Sequence, residues 1–464
     1  MSRRFIRLMA LVAAMALSTA LLAACGGDDE ERGGGSGGAA AAAGDTALKK
    51  GTAVRLWIMN NGPDPVKDTE RLVQPFEQKT GVDVKVELVG WDVQFDRIRN
   101  AAVSGEGPDI TQAGTTQVPF FAALGGFEDL SDRVSDLGGS EAYPEGVWST
   151  TQVQGQEGTW ATPWFTEARA IYYRKDVLKQ AGIDPKTAFA DWDAFRTTLE
   201  TIKQKVPEVG GKPIQPFGTP GKKAFDLVHH VMPFVWDAGG AELNDDASKA
   251  TIASPQAQQG VKYFADLVGD GLADKAQLER DGTQVENQFK AGRLAVWMGG
   301  PWVLQSSERE DDDKWTKAAR ENVGIAPMPA GPSGKGFTFV GGSNLMMLKS
   351  SKHKNEAWAL LKYLSEPKVQ TEYAALMGMF PSKADAQAQA GEGDENKAQF
   401  LKAIQQGRSY AEIPQWGQIE NAYKGRFGEI LDQAARGGID DATLSTELRK
   451  AQDEADALLA QNAG

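Results

Sequence analysis

The residues of this 464-residue chain best placed to do chemistry by contact lie together in one stretch, Thr159 to Lys175. Within it Pro163-Trp164-Phe165 is followed by Glu167, Ala168, Arg169, Ala170 and the run Ile171-Tyr172-Tyr173. Alternation of period two puts Glu167, Arg169 and Ile171 on one face of an extended segment. A carboxylate accepts hydrogen bonds from hydroxyls, a guanidinium donates through a rigid fork, and the indole of Trp164 offers a flat apolar face. That set suits a polyhydroxyl ligand. The same residues also fit an ordinary strand with an Arg–Glu ion pair, and the stretch alone leaves both readings open.

Other chemistries find little footing. Three histidines, with His229 and His230 adjacent, form no His-Glu-x-x-His zinc motif. Gly341-Gly342-Ser343-Asn344-Leu345 fails a nucleophile elbow at its last position. Gly334-Lys335-Gly336 lacks the remainder of a phosphate loop. No metal and no cofactor is implied. The net charge of −13 excludes nucleic acid as a partner and disfavours adhesion to anionic lipid. With 63 acidic residues the chain could hold a carboxylate pair, so a lipid-anchored glycoside hydrolase stands as an alternative. The strand–helix pattern, however, lacks the eightfold repetition of a barrel.

The elements that must position such residues begin after an atypical N-terminus. Arg3, Arg4 and Arg7 precede an apolar run, Leu8 to Leu22, too short for a comfortable membrane span. It ends in Leu22-Ala23-Ala24-Cys25, which resembles a bacterial lipoprotein cleavage site. The resemblance implies a leader over 1–24 and lipidation of Cys25, the only cysteine. Residues 25–50 are Gly, Ala, Ser and acid, and read as a disordered tether.

The folded body then alternates strand and helix. Strands are expected over 53–59 and 82–88, with helices over about 66–79 and 93–104, and Trp91-Asp92 on the loop before the second helix. This repetition predicts an α/β fold with a largely parallel sheet, whose ligands sit at the carboxyl ends of strands. Further on, Asp191 is an expected N-cap, Phe225 to Trp236 an apolar stretch ended by Gly239-Gly240, and 292–298 a strand. Gly300-Pro301 places Trp302 on a turn. Phe337 to Leu348 reads as a long strand interrupted by Gly341-Gly342, and the C-terminal third is helical. Trp57, Trp192, Trp297 and Trp358 read as core.

Taken in order, the set at Cys25, Trp57, Gly107-Pro108-Asp109-Ile110, Pro163 to Lys175, Trp236 to Gly240, Gly299 to Trp302, Phe339 to Asn344 and Ile413-Pro414-Gln415-Trp416 resembles the sugar-binding, maltose-binding-protein-like solute-binding proteins of ABC importers. The resemblance covers nearly all of the chain after the leader. It implies two α/β lobes of periplasmic-binding-protein type joined by several crossings, with the ligand in the cleft between them. The expected lobes are 51–165 with about 342–395, and 166–341 with about 396–464. Pro163 to Lys175 is then the first crossing, and Phe339 to Asn344 the second, where a glycine pair can absorb backbone rotation. The implied function is non-catalytic: a monomeric receptor that binds a sugar, of oligosaccharide size, and delivers it to membrane permease subunits.

The expected ligand contacts are Asn60, Asn61, Trp91, Asp92, Gln112, Thr116, Trp164, Glu167, Arg169, His229, Trp236, Trp302, Ser343, Asn344 and Trp416. Trp302 and Glu167 match ligand positions of the resembled family. Between Thr111 and Gln117 the chain departs from the maltose-binding pattern, with Ala113 and Thr116 where that protein has an indole and a carboxylate, which weakens maltodextrin as the ligand. A polyamine on the same fold is a further alternative. It should meet several carboxylates, whereas these candidates are mainly indoles, amides and hydroxyls.

Overall fold

The computed structural model describes residues 48–310 and 312–461. Cys25, the leader and all of the expected tether up to residue 47 lie outside the described residues. The last tether positions belong to the fold: Leu48 packs on the core, and the Lys49 N–H donates to Glu356 Oε1 at 2.9 Å. Among the described residues no helix is long and apolar enough to cross a membrane.

The first sheet forms from β1 (Ala53–Ile58), β2 (Asp83–Leu88), β3 (Ile110–Gly114) and β4 (Thr162–Ala168). The second begins with β5 (Ala170–Arg174). A short hairpin, β6 (Glu208–Val209) with β7 (Lys212–Pro213), precedes β8 (Gln215–Gly218), β9 (Leu294–Gly299) and β10 (Val323–Ala326). The chain then returns to the first sheet with β11 (Val340–Met347) and β12 (Phe380–Pro381). The strand orders are β12-β4-β11-β3-β1-β2 and β10-β5-β9-β8.

The α/β expectation holds, with one correction. Only β2-β1-β3 and β8-β9 are parallel; β11, β4, β12, β5 and β10 pair antiparallel. The parallel strands are those separated by helices long enough to cross over, such as Pro65–Thr80 and Trp91–Ser104. Of the antiparallel strands, β5 and β11 enter from the other half of the molecule.

Each half has its own core. Successive residues of β1 point to opposite faces, so Leu56 and Ile58 pack in one apolar cluster while Trp57 and Met59 pack in another. Burial on both faces explains why β1 is apolar nearly throughout. In the second half Ile171 and Val296 face the helices Leu227–Asp237, Pro255–Gly269 and Trp416–Ala435, whereas Tyr172 and Trp297 face the opposite cluster.

The halves meet where the chain changes sheets. β4 runs beyond the expected boundary at 165, and Arg169 alone separates it from β5. The Arg169 N–H donates to Phe339 O at 3.3 Å and the Thr338 hydroxyl donates to Arg169 O at 2.8 Å. Arg408 joins them, its N–H donating to Thr338 O at 2.9 Å while its own carbonyl accepts from Val340 at 2.8 Å. Three segments therefore lie side by side at the junction.

The expected strand over 337–348 shortens to β11, because Phe337 to Phe339 belong to this junction. At Gly342 φ is 142°, and the register against β4 shifts between Ser343 and Asn344. A Cβ at 342 would collide with the Phe165 carbonyl oxygen. Gly342→Ala is expected to destabilise the protein by roughly 2–4 kcal/mol, from backbone strain and steric overlap together. Urea unfolding measures this, and a change within about 0.5 kcal/mol of wild type would show that the strand relaxes without cost.

Candidate functional site

The ends of β1 and β3 and the junction residues open onto a cleft between the two halves, with a cavity of about 90 Å³. Its lining includes Asn60, Asn61, Trp91, Thr116, Glu167, Arg169, His229, Trp302 and Ser343 from the expected set. The first half supplies the amides. Asn61 Nδ2 donates to Gln112 Oε1 at 2.7 Å and to the Tyr373 hydroxyl at 2.9 Å. Gln112 Nε2 in turn donates to Asn61 Oδ1 at 3.1 Å and to Ser343 Oγ at 2.8 Å. Gln112 is fully buried and spends its amide on these neighbours and on the Met59 N–H. It ties β3 to β11 and to the segment after β1, and the expectation that it contacts ligand is corrected.

Trp91 is the first residue of the helix Trp91–Ser104 rather than part of a loop, with Gly90 as N-cap. Its Nε1 donates to Asn60 O at 3.2 Å. Its ring stacks on Phe225, which comes from the second half, with centroids 5.2 Å apart. Asp92 lies outside the lining. Its carboxylate accepts from the Phe225 N–H at 2.7 Å, and burial pushes its pKa up. Trp91 and Asp92 thus meet one residue of the facing half.

The second half brings charge. Arg169 Nη1 pairs with Glu167 Oε2 at 3.1 Å, and Nη2 lies 3.6 Å from Asp226 Oδ1. Its guanidinium rests over the Trp302 ring at 4.5 Å. Trp302 stands in the first turn of the helix Pro301–Glu308, where a turn is expected from sequence; Pro at N1 starts that helix. The Trp302 Nε1–H donates to Glu286 Oε2 at 2.8 Å, and Glu286 Oε1 pairs with Lys290 at 2.7 Å. Lys290 also pairs with Asp312 at 3.0 Å. A capping box, Asp281 with Gln284, starts the helix Gly282–Lys290 and aims Thr283 and Glu286 at the cleft.

His229 stacks on Phe339 at 3.9 Å, shares a hydrogen bond with the Tyr410 hydroxyl at 3.0 Å, and lies 3.4 Å from Glu420. Burial holds its pKa well below the ordinary histidine value, so the ring is neutral. The Thr116 hydroxyl donates to the Glu420 carboxylate at 3.2 Å, another contact across the cleft.

Four further expectations are corrected. Trp164 is buried against Tyr373, with ring centroids 4.3 Å apart. Alternation along β4 explains it: Phe165, Glu167 and Arg169 share the cleft side, and Trp164 faces the other way. Trp236 is fully buried in the second core, its Nε1 donating to Glu242 at 2.8 Å. Trp416 is fully buried against Tyr410 at 4.3 Å. Asn344 points away from Ser343 and donates to Thr150 O at 3.0 Å. Conversely Trp297, read as core, contributes to the cleft wall while staying buried.

Sequence reasoning missed Phe225, Asp226, Glu286 and Glu420. The Asp281-x-x-Gln284 pattern could have pointed to Glu286, and the Phe225-Asp226 pair opens the histidine-bearing helix. Nothing in the local sequence singles out Glu420. Among the described residues no group of His, Cys, Asp and Glu could hold a metal ion.

Burial pushes Glu167 and Glu420 up from 4.5 to about 7, against the attraction of Arg169 in the first case and the Thr116 hydrogen bond in the second. A folded-state pKa above the unfolded one means that the folded protein binds more protons between these values. Stability from these two groups is therefore full below about pH 4.5 and is lost as pH rises through about 7. The melting temperature of the ligand-free protein is expected to fall by roughly 5 °C across this window. Glu420→Gln should flatten the slope, and an unchanged slope in that variant would contradict the assignment.

Comparison with known proteins places this geometry. Residues 62–371 match the family described as bacterial extracellular solute-binding protein. A diacetylchitobiose binding protein of Streptomyces coelicolor is 28% identical over 376 residues, covering 80% of this chain and 82% of the relative. A maltooligosaccharide ABC transporter solute-binding lipoprotein of Streptococcus pneumoniae is 23% identical over 395 residues, covering 82% and 83%. Among solved structures, an ABC transporter solute-binding protein of Thermotoga lettingae with bound α-D-tagatose superposes with a TM-score of 0.77 at 24% identity. It covers 88% of this chain and 100% of its own, a likeness that establishes the two-lobe α/β fold.

Proposed function

This chain belongs to the bacterial extracellular solute-binding proteins, and on that premise we propose that it is a lipid-anchored receptor that binds a sugar and hands it to an ABC importer. The observation that carries the reading is the cleft itself. Trp91, Phe225, Trp302 and Phe339 put aromatic rings in its wall, and Glu167, Arg169, Asn60 and Thr116 put donors and acceptors beside them, the mixture a sugar ring and its hydroxyls need. The ligands and the lipoprotein status named for the Streptomyces and Streptococcus relatives support both the sugar and the anchor at Cys25. The two sheet-bearing halves are the lobes, and the junction of Arg169, Phe339 and Arg408 is the hinge.

Binding without turnover suits the carboxylates. Glu167 is held by Arg169, Glu286 by Trp302 and Lys290, and Glu420 by Thr116 and His229. Closure then follows from contacts made only with the lobes together, and a ligand adds to them. Delivery requires a permease that reads the closed form.

A thermal-shift screen with mono- to tetrasaccharides tests the assignment, because a ligand specific for the native state raises the melting midpoint by linkage. Absence of a shift with every sugar would contradict it. Glu167→Gln separates binding from folding. Burial already outweighs the Arg169 pairing in setting the Glu167 pKa, so at about pH 8 the empty variant is expected to melt at or above wild type. Its affinity for the identified sugar should fall by roughly tenfold, the loss of one charged hydrogen bond. A strongly destabilised variant with unchanged affinity would make Glu167 a structural residue only.

A further inference from the structure

The cleft is more acidic than a neutral sugar requires. Three carboxylates line it, Glu167, Asp226 and Glu286, against one guanidinium, Arg169. Asp92 and Glu420 stand immediately behind, bonded to the lining residues Phe225 and Thr116. Lys290, beside Glu286, is bracketed by two carboxylates, Glu286 and Asp312. His229 is neutral and brings no countercharge.

Two polar groups in the wall have no partner. Arg169 is 5% exposed and its Nε has no hydrogen bond; Thr115 is 7% exposed and its hydroxyl has none. Both residues line the cleft. Buried donors left in this state carry a desolvation cost that a bound acceptor removes. They call for oxygens on the ligand, as the aromatic faces call for a ring. The arrangement around Arg169 also shows how the cleft holds a cation: flat against Trp302 at 4.5 Å, with Glu167 and Asp226 at its edges.

We propose that the ligand is a cationic sugar, an amino sugar whose ammonium lies among Glu167, Asp226 and Glu286 while its ring and hydroxyls meet the indoles, Arg169 Nε and Thr115. The proposal rests on the sugar-receptor reading above and narrows its ligand class. An ammonium is compact and donates three hydrogen bonds, so it can add to the partners that these carboxylates already have, where a hydroxyl donates only one. The electrostatic state of the empty cleft agrees. Glu167, Glu420 and Asp92 are all pushed up, first by burial, and Asp226 adds repulsion in each case. Lys424 attenuates this for Asp92 and Glu420, and Arg169 does so for Glu167.

Calorimetric titration of the purified chain with matched sets decides it. Each set contains a free hexosamine, its N-acetyl derivative and the parent hexose, as monosaccharides and as disaccharides, with spermidine as a sugar-free cation. The expected result is binding of at least one free amino sugar at least tenfold tighter than both of its uncharged counterparts. Asp226→Asn should cut that preference at least fivefold. Equal or tighter binding of the N-acetyl or parent sugar overturns the cationic proposal and leaves the sugar reading standing. Binding of spermidine alone overturns both, and binding of nothing in the panel overturns the cationic proposal, the sugar reading being decided by the mono- to tetrasaccharide screen.

Discussion

Arg169 occupies the one residue between two sheets and is almost wholly buried. A guanidinium cannot lose its charge at any physiological pH, so its burial has to be matched by partners. Those partners come from different parts of the chain: Glu167 from the end of β4, Asp226 from the residue before a helix of the second half, and Trp302 from another helix's first turn. This one charge therefore sets the character of the surrounding walls. Acid and indole collect around it, and the cleft inherits both. Its backbone is tied to Phe339 and Thr338, so the same residue anchors the junction where the halves meet.

Contacts also join the two halves directly across the cleft. The Trp91–Phe225 stack, the Asp92–Phe225 hydrogen bond and the Thr116–Glu420 hydrogen bond all join the two halves across the cleft. None of them is large on the scale of folding. Together they hold the two halves against each other across the cleft. Gly342, at the edge of the junction, supplies a backbone conformation that other residues reach only with strain.

Much of this was legible in the chain itself, for physical reasons. The period-two alternation that put Glu167 and Arg169 on one face is local, and both line the cleft, but Ile171, expected on the same face, packs in the second core beyond the change of sheet. The ordered set of motifs located the crossing and the cleft ends of β1 and β3. The aromatic assignments failed where composition was read without direction. Trp164 lies on the wrong face of its own strand, whereas Phe165, one residue later, reaches the cleft. Gln112 and Asn344 are amides within strands that border the cleft, but their bonds run inward to partners far along the chain. Asp226, Glu286 and Glu420 were invisible for a related reason. They lie in three helical regions widely separated in sequence, and their convergence is a property of packing, which no local pattern encodes. The mixed sheets follow the same logic, since strands that return from the other half arrive antiparallel.

The most direct measurement is a crystal structure of the protein with the tightest-binding sugar from solution. The account predicts a sugar ring against the indole of Trp302 or Trp91, with Glu167 and the free Nε of Arg169 in hydrogen-bond reach of its polar groups. A sugar bound elsewhere on the surface, with Arg169 still filling the space over Trp302 and the cleft otherwise unchanged, would contradict it.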